Sequence, residues 1–314
     1  MIDDLQLTSL GLGATIPGNR PLASNHVNID GFEFLIDAPE GVQHYLFKHD
    51  CGLSIDAIFI TNTAKRSLLG LPGLLNTLSF MAQREKPLTI YTPARTLSKV
   101  REVTDWYANV GFDINIKEVL PGRPIIETDS YIIDSIDNSI TESYGLKIEG
   151  ITRGEFNRDK AEALGVPPGP KYSRLCEGES VEANDGSTVH PEQVLDDTAK
   201  NPITVVFSGR TNPCPDVEKA AELCTVLVHD AVTLTEYRDN PSRASVGDAV
   251  DIATAANPDY LFLNRVSNNT NHLSDTELIH KATDMTDYNL NIDVLSEGTA
   301  VTVRRDGVQI TSQT

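Results

Sequence analysis

Histidine and cysteine, the side chains from which most catalytic metal sites are built, are scarce: seven and four in 314 residues. No two histidines stand in HxH or HxxxH spacing, and Cys51, Cys176, Cys214 and Cys224 contain no CxxC pair. Those spacings argue against a local zinc motif and against a disulfide framework, and free thiols in a reducing compartment are expected. Cations are also few, 26 Lys and Arg against 45 Asp and Glu, for a net charge of −19. Non-specific nucleic-acid binding runs on excess positive charge, so this balance opposes it unless a local basic patch survives. No apolar run approaches the ~18 residues that span a bilayer, and the start lacks the form of a signal peptide. A cytoplasmic protein without a membrane segment is expected.

The acidic residues are spread along the whole chain. Such a surface repels itself at low salt and is screened at high salt. The composition therefore points to a protein of a high-salt organism. The length suits one large domain or two ordinary ones. No internal repeat, low-complexity tract or convincing boundary divides it.

Short apolar runs alternate with helical patterns, which predicts an α/β chain. Residues 27–29 and 32–36 flank Asp30-Gly31, a type I′ hairpin signal, and the second strand delivers Asp37 into a loop ending at Gln43. A buried strand is predicted over 57–61, a polar loop over 62–67, and an apolar helix from Leu68. A strand at 88–91 precedes a helix over 94–110. Further strands are predicted at 112–119, 124–127, 131–136, 144–148, 203–208, 225–228, 260–263 and 290–295, with helices at 244–256 and 275–283. The closing hairpin turns on Asp306-Gly307. Pro167-Pro168-Gly169-Pro170 forbids a helix or central strand there and predicts a rigid irregular segment, which by composition alone would be a linker.

Together these stretches resemble the ribonuclease Z family, tRNA 3′-end endonucleases of the metallo-β-lactamase fold. Gly70 to Leu75, Gly-Leu-Pro-Gly-Leu-Leu, matches the segment that comes directly after the family's Thr-His-x-His-x-Asp-His loop. Leu10-Gly11, Gly13 and Pro17 match its first motif, while Asp37, Glu40, Gly41 and Gln43 match its Asp-Cys-Gly-Glu-Gly-Thr-Gln. The run from Gly154-Glu155-Phe156-Asn157 to Asp185-Gly186 matches its substrate arm. The resemblance extends from Gly11 to about Asn264. It implies a four-layer αββα sandwich, one domain over residues 1–314, with an arm protruding at about 150–195. It also implies a homodimer and a halophilic archaeon as the source.

The same resemblance implies where a dinuclear zinc site would lie, and there the chain departs from the family. The ligand positions of the loop fall on Asn62, Ala64, Arg66 and Ser67; Arg66 stands where the family has an Asp that also serves as general base. The next histidine position falls on Ser139, with Asn138 one residue away. The bridging Asp position is Arg210, the last ligand is Arg265, and the acid-donating histidine is Arg243. His229 and Asp230 occupy the family's His-Glu; His229 is expected to be a hydrogen-bonded core residue. Ala, Ser and Asn do not ligate zinc, and Arg stays protonated. Zinc is expected to be absent, and no other cofactor is expected.

Arg66, Arg210, Arg243 and Arg265, with Lys65 beside them, are expected to replace the metals electrostatically and pair with Asp37 and Asp230. They would form either a salt-bridged plug or an anion pocket suited to phosphate. In the arm, Pro167, Pro168, Gly169, Pro170, Lys171 and Arg174 are the candidates for contact with RNA. Three functions are compatible with this pattern. One is an inactive paralogue that binds RNA, a phosphorylated ligand or a protein partner. Another is a metal-independent ribonuclease or phosphoesterase using the Arg cluster, Asp37 and His229. The third is a structural subunit.

Overall fold

The computed structural model describes residues 2–14, 20–105, 111–151, 155–196, 202–234, 243–267 and 273–312. Thr15, Ile16 and Pro17 of the first motif, the end of the helix predicted over 94–110, Gly154 and Ser242 lie outside the described residues. Contacts divide the chain into two compact units, one of residues 151–202 and one of nearly all the rest.

The larger unit holds two mixed sheets of eight and seven strands. Alternation along the strands shows how they pack. Phe34 and Ile36 face one way into a core with Phe59, Val205, Phe207, Val226 and Phe262, residues drawn from both sheets. Leu35 and Ile58 face the other way, against Val42, Leu46, Leu71, Leu74 and Leu78 of the helices Val42–Lys48 and Leu71–Phe80. Val206 and Leu227 likewise face Val217, Val250 and Leu278 of the helices Pro215–Ala221, Val246–Ala256 and Asp275–Thr283. Two sheets share an apolar layer, each covered outside by helices. This is the four-layer αββα sandwich. Strands buried on both faces, such as Thr204–Phe207, read as unbroken apolar runs for that reason.

The strand Asp4–Gly11 pairs with Thr299–Arg304, the first strand of the closing hairpin, Leu5 opposite Val303, so the two ends of the unit share one sheet. Phe32–Ile36, Ala57–Phe59 and Leu88–Thr92 run parallel in that sheet. In the other, Thr204–Phe207, Val226–Asp230 and Tyr260–Asn264 run parallel. The C-terminal ends of such strands are where open α/β sheets place their sites.

The helix predicted from Leu68 begins at Leu71, because Lys65–Ser67 closes first into a 3-10 turn. Gly70 joins the two with no room for a side chain: a Cβ there would lie 1.8 Å from the carbonyl oxygen of Pro39. Backbone cannot yield as a side-chain tip can. Gly70→Ala is expected to cost about 3 kcal/mol or more, read as a lowered denaturation midpoint. The helix Pro215–Ala221 escapes sequence reading because only Pro215 in its first turn and the acids after it mark the start.

The unit of residues 151–202 has its own small core of Ala161, Val166, Leu175, Val181, Val189 and Val194. The irregular segment expected there contains helices among its described residues, Arg158–Ala163, Pro170–Cys176 and the single turn Pro191–Val194. Pro170 opens the second helix instead of preventing it, since a first-turn residue has no intrahelical partner for its N–H. No helix among the described residues is long and apolar enough to cross a membrane.

Candidate functional site

Asp37 comes directly after the strand Phe32–Ile36 and is buried with a left-handed backbone, φ 60°. Its carboxylate is caught by the neighbouring parallel strand's exit. The Thr61 amide donates to Oδ1 at 2.8 Å, the Thr61 hydroxyl at 3.0 Å, and the Ser67 hydroxyl donates to Oδ2 at 3.0 Å. The Asn62 amide in turn donates to Ser67 Oγ at 3.0 Å, and Asn62 Oδ1 accepts from the Ala64 amide at 3.0 Å. Burial pushes the Asp37 carboxyl above the usual carboxylate range, against the pull of Arg265 and these donors.

Across the layer, Asp230 ends the strand Val226–Asp230, and Arg265 comes directly after the strand Tyr260–Asn264. Arg265 is also left-handed, φ 57°, its amide donating to Asn264 Oδ1 at 2.8 Å. A non-glycine residue held there stores about 1–3 kcal/mol, which the surroundings must offset. Here the offset is ionic: Arg265 Nε lies 3.1 Å from Asp230 Oδ1 and its Nη1 lies 3.7 Å from Asp37 Oδ2. One guanidinium bridges the two sheets' carboxylates.

Arg66, on the 3-10 turn, Arg210, after the strand Thr204–Phe207, and Arg243, before the helix Val246–Ala256, complete the cluster. With Ala14, Asp230, Val232 and Arg265 they line a cavity of about 260 Å³. A second cavity, of about 340 Å³, shares Asp230 and Arg265 with the first and is lined also by Asn25, Asp37, Thr61, Ser208 and Asn264. Among the described residues, four guanidiniums and two carboxylates line the two cavities, in a chain of net −19. Burial and the neighbouring guanidiniums Arg265 and Arg210 lower Arg66 to about 10, which still leaves it protonated at neutral pH. Burial pushes Asp230 up to about 6, held back by Arg265, Arg210 and Arg66.

Two sequence expectations change, at Lys65 and Ser139, while His229 is the hydrogen-bonded core residue expected. Lys65 is exposed and lines neither cavity, because the 3-10 turn sends it outward while Arg66 turns in. Ser139 is exposed; Asn138 is the buried residue, its amide donating to Ser143 Oγ at 3.1 Å and to the carbonyls of Ser208 and Arg210 at 3.1 and 2.9 Å. His229 is fully buried and lines neither cavity. Its Nδ1 lies 2.8 Å from the Asp230 carbonyl, a geometry for donation, and burial lowers its pKa to about 4. Ser208, whose hydroxyl accepts from the Asp230 amide at 3.0 Å, has no signal in the sequence. In the 151–202 unit, Lys171 donates to the Glu182 carbonyl and Arg174 pairs with Glu179 at 2.7 Å, so both cations are engaged internally. Among the prolines and glycine of that segment, only Pro170 lies within a regular element.

The donor set does not fit a zinc pair. Asn62, Ser67 and Asn138 spend their polar atoms on protein partners, Asp37 is bound by Thr61, Ser67 and Arg265, and four guanidiniums would repel a dication. Among the described residues, no three His, Cys, Asp or Glu side chains converge as a metal-binding group.

No family model matches the chain. Curated relatives do. A ribonuclease Z of Natronomonas pharaonis is 34% identical over 271 residues, 84% of this chain and 87% of that protein. One of Methanosarcina acetivorans is 35% identical over 289 residues, covering 88% and 92%. One of Haloarcula marismortui is 34% identical over 293 residues, covering 90% and 92%. Among solved structures, human tRNase Z, short form, matches with a TM-score of 0.61 at 16% identity, over 94% of this chain and 98% of that one. The metallo-beta-lactamase fold protein YhfI from Bacillus subtilis matches with a TM-score of 0.65 at 14% identity, over 96% and 100%. These structural likenesses show the metallo-β-lactamase fold. The curated relatives, a third identical over nearly their full length, show more: this chain belongs to the ribonuclease Z family.

Proposed function

We propose that this protein has exchanged the dinuclear zinc site of its family for a guanidinium cluster, does not cleave RNA, and binds a phosphorylated ligand at that cluster. The observation that carries the reading is the convergence, among the described residues, of four guanidiniums on cavities at the strand ends of a strongly acidic chain. Guanidinium forks match phosphate oxygens and stay charged at any working pH. Hydrolysis would also need a base beside the nucleophile. His229 is sealed away from both cavities. A small ligand suits the cluster better than a whole tRNA, since Lys171 and Arg174 are engaged within their own unit.

Protein purified in high salt is expected to carry no stoichiometric zinc by elemental analysis and to leave pre-tRNA uncut. Sulfate and phosphate are expected to raise the melting temperature above that in chloride at equal ionic strength, because a ligand that binds only the folded state stabilises it. The double variant Arg66→Ala, Arg210→Ala is expected to fold and lose that response. Unfolding of the double variant with unchanged anion affinity would instead make the cluster a structural plug. Stoichiometric zinc or cleavage would overturn the reading.

A further inference from the structure

Asp230 lines both cavities. It is buried among charges: Asp37 beyond the strand Phe32–Ile36, Arg66 from the 3-10 turn, Arg210, Arg243 and Arg265 from their loops. Its strand neighbour His229 faces away, toward Asp248. In such company a carboxylate ordinarily accepts two parallel N–H bonds from one guanidinium. Asp230 does not: the backbone amide of Thr211 is directed at its carboxyl, but no guanidinium makes an aligned hydrogen bond to either oxygen, and Arg265 Nε, 3.1 Å away, and Arg66 Nε make no aligned bond of their own. The contact is electrostatic without being geometrically complementary. One planar carboxylate cannot serve guanidiniums that converge from several directions, whereas an anion with four tetrahedral oxygens can.

We infer that Asp230 is an internal stand-in for the ligand, and that a tetrahedral dianion, sulfate or a phosphate monoester, binds by displacing its carboxylate from Arg265. This rests on the anion-binding reading above and adds how the site is held between ligands. Geometry calls for the displacement, because the Asp230 carboxylate already lies 3.1 Å from Arg265 Nε in the guanidinium cavity, and an anion that takes that guanidinium takes the carboxylate's place. Space also permits it. Asp230 also lines the second cavity, of about 340 Å³, and Asn25 Oδ1 on its wall is a buried acceptor with no donor. A displaced carboxyl, once protonated, supplies the missing donor. Ligand binding therefore takes up a proton, and the cluster resists weakly bound anions such as chloride.

The test is titration calorimetry with sulfate, whose charge is constant between pH 5 and 8, repeated with inorganic phosphate and against chloride at matched ionic strength. Asp230→Asn is expected to bind sulfate at least tenfold more tightly than the native chain. The native chain is expected to take up close to one proton per sulfate at pH 7, read from the heat in buffers of different ionisation enthalpy, and Asp230→Asn none. Equal or weaker binding by Asp230→Asn, while the native chain binds, would overturn the displacement and leave the anion site standing. So would a native chain that binds with no proton uptake, a result that decides the matter if Asp230→Asn fails to fold. Absence of sulfate and phosphate binding in both proteins would overturn the displacement and the anion site together. Binding of phosphate without sulfate would overturn the general dianion class.

Discussion

Arg265→Ala is expected to cost about 3–5 kcal/mol at pH 8, and clearly less at pH 5. Arg265 is the cation that touches both buried carboxylates, Asp37 at 3.7 Å and Asp230 at 3.1 Å. Without it, two desolvated acids face each other across the interface of the sheets, and each is already held above the ordinary carboxylate range by burial. Loss of the cation raises both pKa values further. The folded state then binds more protons than the unfolded state over a wider window, from near pH 4 upward, and stability falls across it as pH rises. Chemical denaturation at pH 5 and pH 8 measures the difference. A loss equal at both pH values would mean that Arg265 acts through packing alone. Relief of the φ 57° backbone by a smaller residue does not offset this, since alanine in that region is strained too.

The second large effect lies in the dependence of stability on pH, where two adjacent residues oppose each other. His229, lowered to about 4, binds a proton in the unfolded state before it does in the folded state, so its contribution rises with pH from about 4 to the ordinary value of 6.5. Asp230, raised to about 6, binds a proton more readily when folded, so its contribution falls with pH from the ordinary 3.8 to about 6. At 1.36 kcal/mol per unit each amounts to about 3 kcal/mol, with opposite sign over nearly the same window. The native chain is expected to be close to flat there as far as these two groups are concerned. Asp230→Asn removes the falling arm and should leave stability climbing by about 3 kcal/mol between pH 4 and 6.5. His229→Gln should leave it descending between pH 4 and 6 by a similar amount. Parallel profiles for the two variants would refute the assignment. Measurements belong at fixed high salt, where the exposed acids of a −19 chain contribute least.

The frame of the fold was legible because it depends on residues close in sequence. Gly70 to Leu75 marks a turn and a buried helix through the crowding that excludes a Cβ and through the apolar spacing of Leu71, Leu74 and Leu75. Residues 124–127, 131–136 and 275–283 begin and end where pattern and cap residues place them. The Pro-rich segment misled. Composition cannot tell a proline that breaks a helix from one that opens it, and Pro170 opens one.

The four arginines of the site are visible in the sequence only by position in a family frame, and the frame alone could not say which way each side chain turns. Lys65 and Arg66 are adjacent, yet a single 3-10 turn sends one outward and the other to the cavity. Ser139 and Asn138 exchange roles for a similar reason: Ser139 takes a left-handed conformation, φ 58°, and Asn138 takes the buried hydrogen bonds.

By itself, the sequence determined that this chain is an α/β protein of the ribonuclease Z pattern, with arginines, asparagine, alanine and serine where the pattern has metal ligands. Such features are set by local periodicity and residue type. Only the tertiary structure decided that Arg265 joins Asp37 to Asp230, and that Asp230 lines two cavities, one of them walled by guanidiniums. Those are relations between strand ends drawn from two sheets, hundreds of residues apart in some cases. Charge, burial and free volume at one point in space have no local trace in the chain.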